Sequence, residues 1–250
     1  MVSIAICGAY GKMGRVISSV VDGRDDCRVI AGIDSGEGSD LEFPVYKKPS
    51  ALSDKPDVII DFSHPSSLKE LLEYGLSVGV PLVLATTGYT EEQIAVIRKT
   101  AEQLPLFFSF NMSLGINLLV KLSQIAAEVL GGQFDIEIVE RHHHTKIDAP
   151  SGTAIMLADS INQTLDGSLR YVYDRHSMRK KRETNELGIH SIRGGTIVGD
   201  HDVVFAGRDE VITLSHSAAS KEVFAVGAVN AAVFIHNKPA KLYDMASLLN

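Results

Sequence analysis

The chain contains only two cysteines and no long apolar run, and each scarcity excludes a class of protein. Cys7 and Cys27 cannot build a disulfide framework or a four-ligand zinc site, and their apolar neighbours are typical of buried thiols in a reducing compartment. The apolar stretch 223–235 is interrupted by Gly227 and Asn230 and is too short to span a bilayer. The first residues lack a basic segment and run into glycines, so we expect no signal peptide and a soluble, cytoplasmic protein.

Basic residues are also scarce, with 24 Lys+Arg against 31 Asp+Glu and a net charge of -7. To bind nucleic acid or an anionic membrane, the protein would need a basic patch that overcomes the repulsion from its net negative charge, and we expect neither as a partner. The basic run RHSMRKKR, residues 175–182, is interpreted as a solvated loop or helix face, or else as a patch that steers an anionic substrate. The length of 250 residues allows one large domain or two compact ones.

Strand and helix patterns alternate through the first 112 residues. The runs at 28–33 and 58–62 are too uniformly apolar for a sheet that is exposed on one side, so both faces are expected to be covered. Thr90 and Gln93 form a predicted capping box at the start of a helix. Together these patterns predict an α/β domain with a Rossmann-type, doubly wound parallel sheet.

The pattern changes in the second half. One long helix is predicted over 116–130, a strand over 134–139, and a second helix from Ser151. Three strand patterns then follow one another through short Gly/Asp turns, at 190–198, 202–206 and 211–217. Such a series predicts an antiparallel meander, and therefore a smaller α+β domain with a mainly antiparallel sheet.

The segment GAYGKMG, residues 8–14, follows the first strand and opens a helix. Glycines at this position let the backbone approach a pyrophosphate, and the helix N-terminus supplies positive potential. Asp34, at the end of the next strand, would bind the ribose hydroxyls and repel a 2′-phosphate, which favours NAD unless Lys12 and Arg15 offset its charge. The structural alternative is a tight turn that requires glycine, with Asp34 as a turn residue before Ser35.

A second segment, residues 140–154 (ERHHHTKIDAPSGTA), is rich in functional side chains. Three adjacent histidines suggest a metal site, but strand neighbours point to opposite faces and no carboxylate has a familiar ligand spacing, so we predict no metal ion. Ser151 lacks the G-x-S-x-G turn of a serine hydrolase. A titratable imidazole, a lysine and a helix N-terminus instead predict an anion pocket with a proton donor. The alternative is an exposed, His-rich loop.

These two segments and IRGGTIVGDHDVVF, residues 192–205, together resemble 4-hydroxy-tetrahydrodipicolinate reductase, also called dihydrodipicolinate reductase, of bacterial lysine and diaminopimelate synthesis. The resemblance covers nearly the whole chain. It implies NAD(P)H-dependent reduction of a small cyclic dicarboxylate, 4-hydroxy-tetrahydrodipicolinate, to tetrahydrodipicolinate. It also implies a dinucleotide-binding domain of residues 1–112 and 224–250, a substrate-binding and oligomerisation domain of residues 113–223, and a homotetramer.

The resemblance also implies individual roles. His142 would be the proton donor or acceptor and Lys146 a donor and carboxylate anchor, both catalytic, and the substrate would bind to His143, Gly152 and Thr153. The implied cofactor contacts are Gly8, Ala9, Tyr10, Gly11, Lys12, Met13, Asp34, Ala85, Thr86, Thr87, Ser109, Phe110, Asn111 and Met112.

Two positions depart from the family pattern. Many members have an arginine after the acidic residue of the second strand, where this chain has Ser35, and Ala85 stands where glycine is common. These departures bear on the choice of cofactor. Because Asp34 would repel a 2′-phosphate and Ser35 supplies no positive charge, we expect NADH to be preferred, with NADPH as the other possible cofactor. Two other functions stay open: a non-catalytic dinucleotide sensor, and an NAD-dependent dehydrogenase of another small acid.

Overall fold

A computed structural model describes residues 1–249, which form two compact units: residues 1–114 together with the segment from Glu222 onward, and residues 115–221. The strands are β1 (Val2–Cys7), β2 (Cys27–Ile33), β3 (Val45–Tyr46), β4 (Val58–Asp61), β5 (Leu82–Leu84), β6 (Leu106–Phe108), β7 (Asp135–His142), β8 (Arg170–Val172), β9 (Glu186–Arg193), β10 (Gly199–Ala206), β11 (Val211–Ala218) and β12 (Leu242–Tyr243). The α-helices are α1 (Lys12–Asp22), α2 (Leu68–Val78), α3 (Glu91–Thr100), α4 (Leu114–Leu130), α5 (Gly152–Thr164) and α6 (Glu222–Ile235).

The first unit is built on a seven-stranded sheet with the order β12-β6-β5-β4-β1-β2-β3, in which all neighbouring strands are parallel. The chain leaves β1 toward β2 and β3 and then crosses back to place β4 on the other side of β1. This reversal is the topological switch point at which doubly wound sheets bind their ligands. The predicted Rossmann-type sheet is confirmed.

Both faces of this sheet are covered. Ile4 and Ile6 of β1 pack in the core on the side of α1 and α6, whereas Ala5 and Cys7 pack in the core on the side of α2 and α3. Burying an isoleucine side chain contributes about 1.5–3 kcal/mol. The uniformly apolar strands therefore have the two-sided burial that their sequence predicts.

Local helix signals also act as predicted in the first unit. Thr90 Oγ1 accepts a hydrogen bond from the Gln93 backbone, and the Gln93 side chain accepts one from the Thr90 backbone, so α3 begins with a complete capping box. The last part of the chain joins the same unit, because α6 packs on one face and Leu242 of β12 pairs with Leu106 of β6. No helix within residues 1–249 is long and apolar enough to cross a membrane.

The second unit has a five-stranded sheet with the order β11-β10-β7-β9-β8. The β10–β11 hairpin is antiparallel as predicted, but β7 lies between β9 and β10 and pairs in parallel with β9. The predicted three-strand meander is therefore wrong, and the sheet is mixed rather than mainly antiparallel. Short turns between consecutive strands do not require those strands to be neighbours, since a strand from earlier in the chain can pair between them. The α+β class of this unit is confirmed.

Candidate functional site

Glycines in the turn after β1 permit close backbone contacts. Gly8 has φ +84°, and a Cβ at this position would lie 2.7 Å from the carbonyl oxygen of Phe62. A Cβ on Gly14 would lie 2.3 Å from the carbonyl oxygen of Gly8. Gly11 is the N-cap of α1 and donates its backbone N–H to Gly8 O at 3.0 Å. The glycines are therefore required by the tight turn. The same turn leads into the N-terminus of α1, where a pyrophosphate could bind.

A cleft of about 500 Å³ lies at the switch point of the first unit. Gly8 and Gly11 line it together with Asp34, the three members of the predicted cofactor set that do so. Its wall also includes residues that the sequence reasoning did not single out: Lys47, Phe62, Ser63 and His64. The cleft is large enough for part of a dinucleotide, and Asp34, directly after β2, lines it together with the two glycines of the turn.

Two cations hold the loop that follows Asp34. Lys47 Nζ donates to the carbonyl oxygens of Ser35 and Gly36, at 3.2 and 2.7 Å, and Arg15 donates to Ser39 O at 3.2 Å. Positive charge near the Asp34 loop therefore comes from Lys47, directly after β3, and from Arg15 of α1, although Ser35 itself brings none.

A buried aspartate connects the loops that follow β4 and β5. The carboxylate of Asp61 accepts hydrogen bonds from the hydroxyls of Ser63, Thr86 and Tyr89. Burial raises the pKa of Asp61, and these hydrogen bonds oppose that rise. Thr86, a predicted cofactor contact, is thus held in a defined position by a residue of the neighbouring strand.

The other predicted cofactor residues differ in exposure. Lys12, Thr87 and Phe110 are exposed and their side chains are accessible to a ligand. Several others are buried and could meet a ligand only through backbone atoms, namely Ala9, Ala85 and Met112. Ser109 and Asn111 hydrogen-bond each other at the end of β6, where Ser109 Oγ donates to Asn111 O at 2.8 Å.

In the second unit, His142 ends β7 with its ring nearly buried. Its Nδ1 lies 2.6 Å from Glu140 Oε2, and Glu140 also pairs with both terminal nitrogens of Arg193 at 2.7 and 2.8 Å. Burial would raise the pKa of Glu140, but the hydrogen bonds from Arg193, Ser191 and His142 outweigh it and lower that pKa to about 2. The carboxylate is therefore ionised at neutral pH.

The three consecutive histidines point to three different partners. His142 meets Glu140, His143 Nδ1 lies 2.7 Å from Thr145 Oγ1, and His144 Nδ1 lies 2.9 Å from Gly195 O. No group of three or more His, Cys, Asp or Glu side chains within residues 1–249 is arranged to hold a metal ion.

The start of α5 lies beside the buried Glu140. Ser151 is the N-cap: its Oγ accepts from Ala154 N at 3.1 Å, and its backbone N–H donates to Glu140 Oε1 at 3.1 Å. Gly152 and Thr153 form the first turn, where backbone amides point out of the helix. Lys146, in the loop before α5, is only 22% exposed and pairs with Asp148 at 2.8 Å.

His201 of β10 completes this cluster. Its Nε2 lies 3.0 Å from Ser151 Oγ, and its ring stands edge-on to the ring of His142 with centroids 5.2 Å apart. Burial and the neighbouring His142 lower the pKa of His201 to about 4, so this ring is neutral near pH 7. The arrangement combines an imidazole, an ammonium group and a helix N-terminus within one unit, which is suited to an anionic substrate and proton transfer.

The basic run 175–182 is largely neutralised within its own unit. Arg175 pairs with Glu137 and Glu186 at 2.8 and 2.7 Å, and Arg182 pairs with Glu137 at 3.0 Å. These contacts favour the interpretation of a structural surface loop over that of a steering patch.

Comparison with known proteins identifies the family. Residues 2–112 match the family model described as the N-terminus of dihydrodipicolinate reductase, and residues 115–249 match the model of its C-terminus. The chain belongs to the dihydrodipicolinate reductase family.

Relatives within this family are similar over their whole length. The 4-hydroxy-tetrahydrodipicolinate reductase of Clostridium tetani is 47% identical over 250 residues, which is 100% of this chain and 98% of that protein. That of Caldanaerobacter subterraneus is 47% identical over 249 residues, with the same coverage. Among solved structures, dipicolinate-bound dihydrodipicolinate reductase from Paenisporosarcina sp. TG-14 has a TM-score of 0.83 and 26% identity over 100% of both chains. The predicted family and enzyme class, an NAD(P)H-dependent oxidoreductase, are confirmed.

Sequence reasoning assigned no role to Glu140, Arg193 or His201. A signal for Glu140 was present, because residues two apart on a strand share a face and Glu140 precedes His142 by two. Arg193 and His201 lie in the segment 192–205 that carries part of the resemblance, but their strands reach β7 only in the folded sheet, so the sequence did not predict their place beside Glu140.

Proposed function

We propose that this chain catalyses the pyridine-nucleotide-dependent reduction of 4-hydroxy-tetrahydrodipicolinate to tetrahydrodipicolinate in diaminopimelate and lysine biosynthesis. The observation that carries the proposal is that Glu140 contacts both His142 and the α5 N-cap Ser151, with Lys146 in the connecting loop, in a chain that matches reductases of this name over its full length. Dipicolinate, the ligand bound to the similar reductase from Paenisporosarcina, is a cyclic dicarboxylate, which fits an anion-binding cluster.

The first unit would bind the dinucleotide through the Gly8–Met13 turn, Asp34 and the loops 85–87 and 109–112. The turn leaves α1 with an open N-terminus for the pyrophosphate, and Asp34 would accept hydrogen bonds from the ribose. NADH is the preferred cofactor in this proposal, because the Asp34 carboxylate repels a 2′-phosphate and Ser35 does not compensate. When bound, the reduced nicotinamide supplies a hydride to an unsaturated carbon of the substrate.

The second unit would hold the substrate and move the proton. Lys146 and the first amides of α5, at Gly152 and Thr153, would bind one carboxylate, with His143 as a further contact. His142 would deliver a proton to the atom beside the carbon that receives the hydride, because a positioned imidazole is the commonest general acid in enzymes. Loss of the 4-hydroxyl and a neighbouring hydrogen as water would create the carbon–carbon double bond that then accepts the hydride and the proton. The overall reaction therefore consumes one hydride and one proton and releases one water.

We also propose that the chain assembles as a homotetramer through its second unit. Large apolar side chains are exposed along α4, at Leu118, Leu122 and Val129, and on β11, at Val211. Association of copies would remove such residues from water. The two unpaired, buried cysteines are consistent with work in the reducing cytoplasm.

The deciding experiment follows NADH and NADPH absorbance with purified protein, while the preceding synthase makes the unstable substrate from pyruvate and aspartate semialdehyde. We expect rapid oxidation that depends on the synthase, and faster oxidation of NADH than of NADPH. Binding of NADH without oxidation would overturn the proposal in favour of a dinucleotide sensor. Oxidation that requires a different small acid would favour another dehydrogenase.

A further inference from the structure

Glu140 is a fully buried carboxylate, and hydrogen-bond donors surround both of its oxygens. Oε2 receives His142 Nδ1 and Arg193 Nη1, and Oε1 receives Ser151 N and Arg193 Nη2. A carboxylate in this setting is ionised and acts only as an acceptor. The atom of His142 that faces it must therefore be the donor, and the ring carries its proton on Nδ1.

The other ring nitrogen of His142 is left for different chemistry. A Cβ added to Gly199 would lie 3.1 Å from His142 Nε2, so the absence of a side chain there leaves room next to this atom. With Nδ1 committed to Glu140, Nε2 is the nitrogen that can accept a proton or give one up.

The same carboxylate reaches the start of α5. Ser151 is the N-cap of this helix, and its backbone N–H donates to Glu140 Oε1 while the side chain caps Ala154. One buried group thus contacts both the imidazole and the helix turn that carries Gly152 and Thr153.

We propose that Glu140 is a positioning residue that holds the His142 proton on Nδ1, presents Nε2 to the substrate, and fixes the α5 N-terminus relative to that ring. Arg193 supports this role because its two-pronged ion pair orients the carboxylate. The inference rests on the proposed function only for the direction of proton transfer. The tautomer of His142 and the contacts of Glu140 are properties of the protein without substrate, so they do not depend on the proposed function.

The test uses Glu140→Gln and a matched control, Glu186→Gln. Glu186 is also a buried carboxylate of the same sheet, paired with Arg170 and Arg175 at 2.7 Å each, but it has no contact with the cluster around His142. Both variants lose one buried charge. They should therefore suffer comparable losses of thermal stability and differ only in their effect on the imidazole.

The first readout is ¹⁵N NMR of the histidine rings at about pH 9, where an ordinary imidazole is neutral. We expect wild type and Glu186→Gln to show a protonated Nδ1 and an unprotonated Nε2 for His142, and Glu140→Gln to lose this single tautomer. A wild-type ring protonated on Nε2 would overturn the inference, even if the variant fails to fold.

The second readout is kcat, determined separately from KM in the coupled assay. Glu140→Gln should lower kcat by about 10- to 100-fold, as removal of an orienting partner commonly does, whereas Glu186→Gln should change kcat less than about twofold. Equal losses of kcat in the two variants would contradict the positioning role and show that Glu140 acts only on stability. Failure of wild type to oxidise either cofactor would instead contradict the proposed function, while the NMR result would still decide the tautomer.

Discussion

The carboxylate of Asp34, at the end of β2, accepts a hydrogen bond from the backbone N–H of Tyr10 in the turn after β1, with 3.0 Å between the two atoms. Its other oxygen accepts from Gly36 N at 2.8 Å. Two backbone donors thus fix the orientation of the proposed ribose ligand, one from the turn after β1 and one from its own loop. Each carboxylate oxygen retains capacity to accept a further hydrogen bond from a bound ligand.

Replacing Asp34 should change the choice of cofactor. Asp34→Asn removes the negative charge that opposes a 2′-phosphate, so the ratio of kcat/KM for NADPH to that for NADH should rise by about tenfold, equivalent to about 1.4 kcal/mol. Asp40→Asn, in the exposed part of the same loop, removes the same charge away from Tyr10 and should leave the ratio unchanged. An equal ratio in the Asp34 variant and wild type would argue against a ribose contact.

Gly14→Ala should disturb the turn and destabilise the first unit. The new methyl group would meet backbone oxygens of Gly8 and Ala9, at 2.3 and 2.7 Å, and neither can rotate away. We expect a loss of about 1–3 kcal/mol in the free energy of unfolding, with weakened NADH binding, measured by urea unfolding and fluorescence titration. Gly23→Ala, at the other end of α1, meets nothing closer than 3.7 Å and serves as the control.

His142→Gln should lower turnover by about 100-fold or more, the range typical for loss of a general acid or base, and should leave the Kd for NADH unchanged. Kinetics in the coupled assay and direct NADH titration separate the two effects. His144→Gln is the matched control, because His144 is exposed and contacts only the neighbouring turn at Gly195. A parallel fall in turnover and cofactor affinity would count against a role in proton transfer.

Lys146→Ala should lower kcat/KM for the dicarboxylate by about 10- to 100-fold, the loss expected when a charged hydrogen bond to substrate is removed. NADH binding should persist. Asp148→Asn removes the partner of this ammonium group, at 2.8 Å, but keeps its charge, so kcat/KM should stay close to that of wild type. Unchanged kcat/KM in Lys146→Ala would exclude the ammonium group as the carboxylate anchor.

The stability of the chain should depend on pH through His201. Its pKa is lowered to about 4 by burial and by His142, below the 6.5 of an unfolded histidine, so the unfolded state binds protons more strongly. The contribution of the neutral His201 ring to the free energy of unfolding is therefore complete above about pH 6.5. It is lost as the pH falls toward 4, and the free energy of unfolding should be lower by about 2 kcal/mol at about pH 5. Urea unfolding of His201→Asn should show a smaller decrease between pH 8 and 5. His176→Asn, an exposed control, should behave like wild type.

Much of the first unit could be predicted from local sequence patterns. Apolar strands, the glycine turn and the Thr90 capping box depend on neighbours along the chain, so their patterns could be recognised without knowledge of the fold. Residues 142–153 could also be recognised locally as a candidate site, because an imidazole, a lysine and a helix start occur within one short segment.

The strand order of the second unit, by contrast, became known only from the folded structure. The insertion of β7 between β9 and β10 brings Arg193 and His201 to Glu140, from 53 and 61 positions away. Strand pairing across such separations depends on which surfaces can be buried together in the complete sheet, and no local periodicity encodes that choice. The buried charge network around His142 exists for this reason, and it could not be predicted from the segment that contains the histidine.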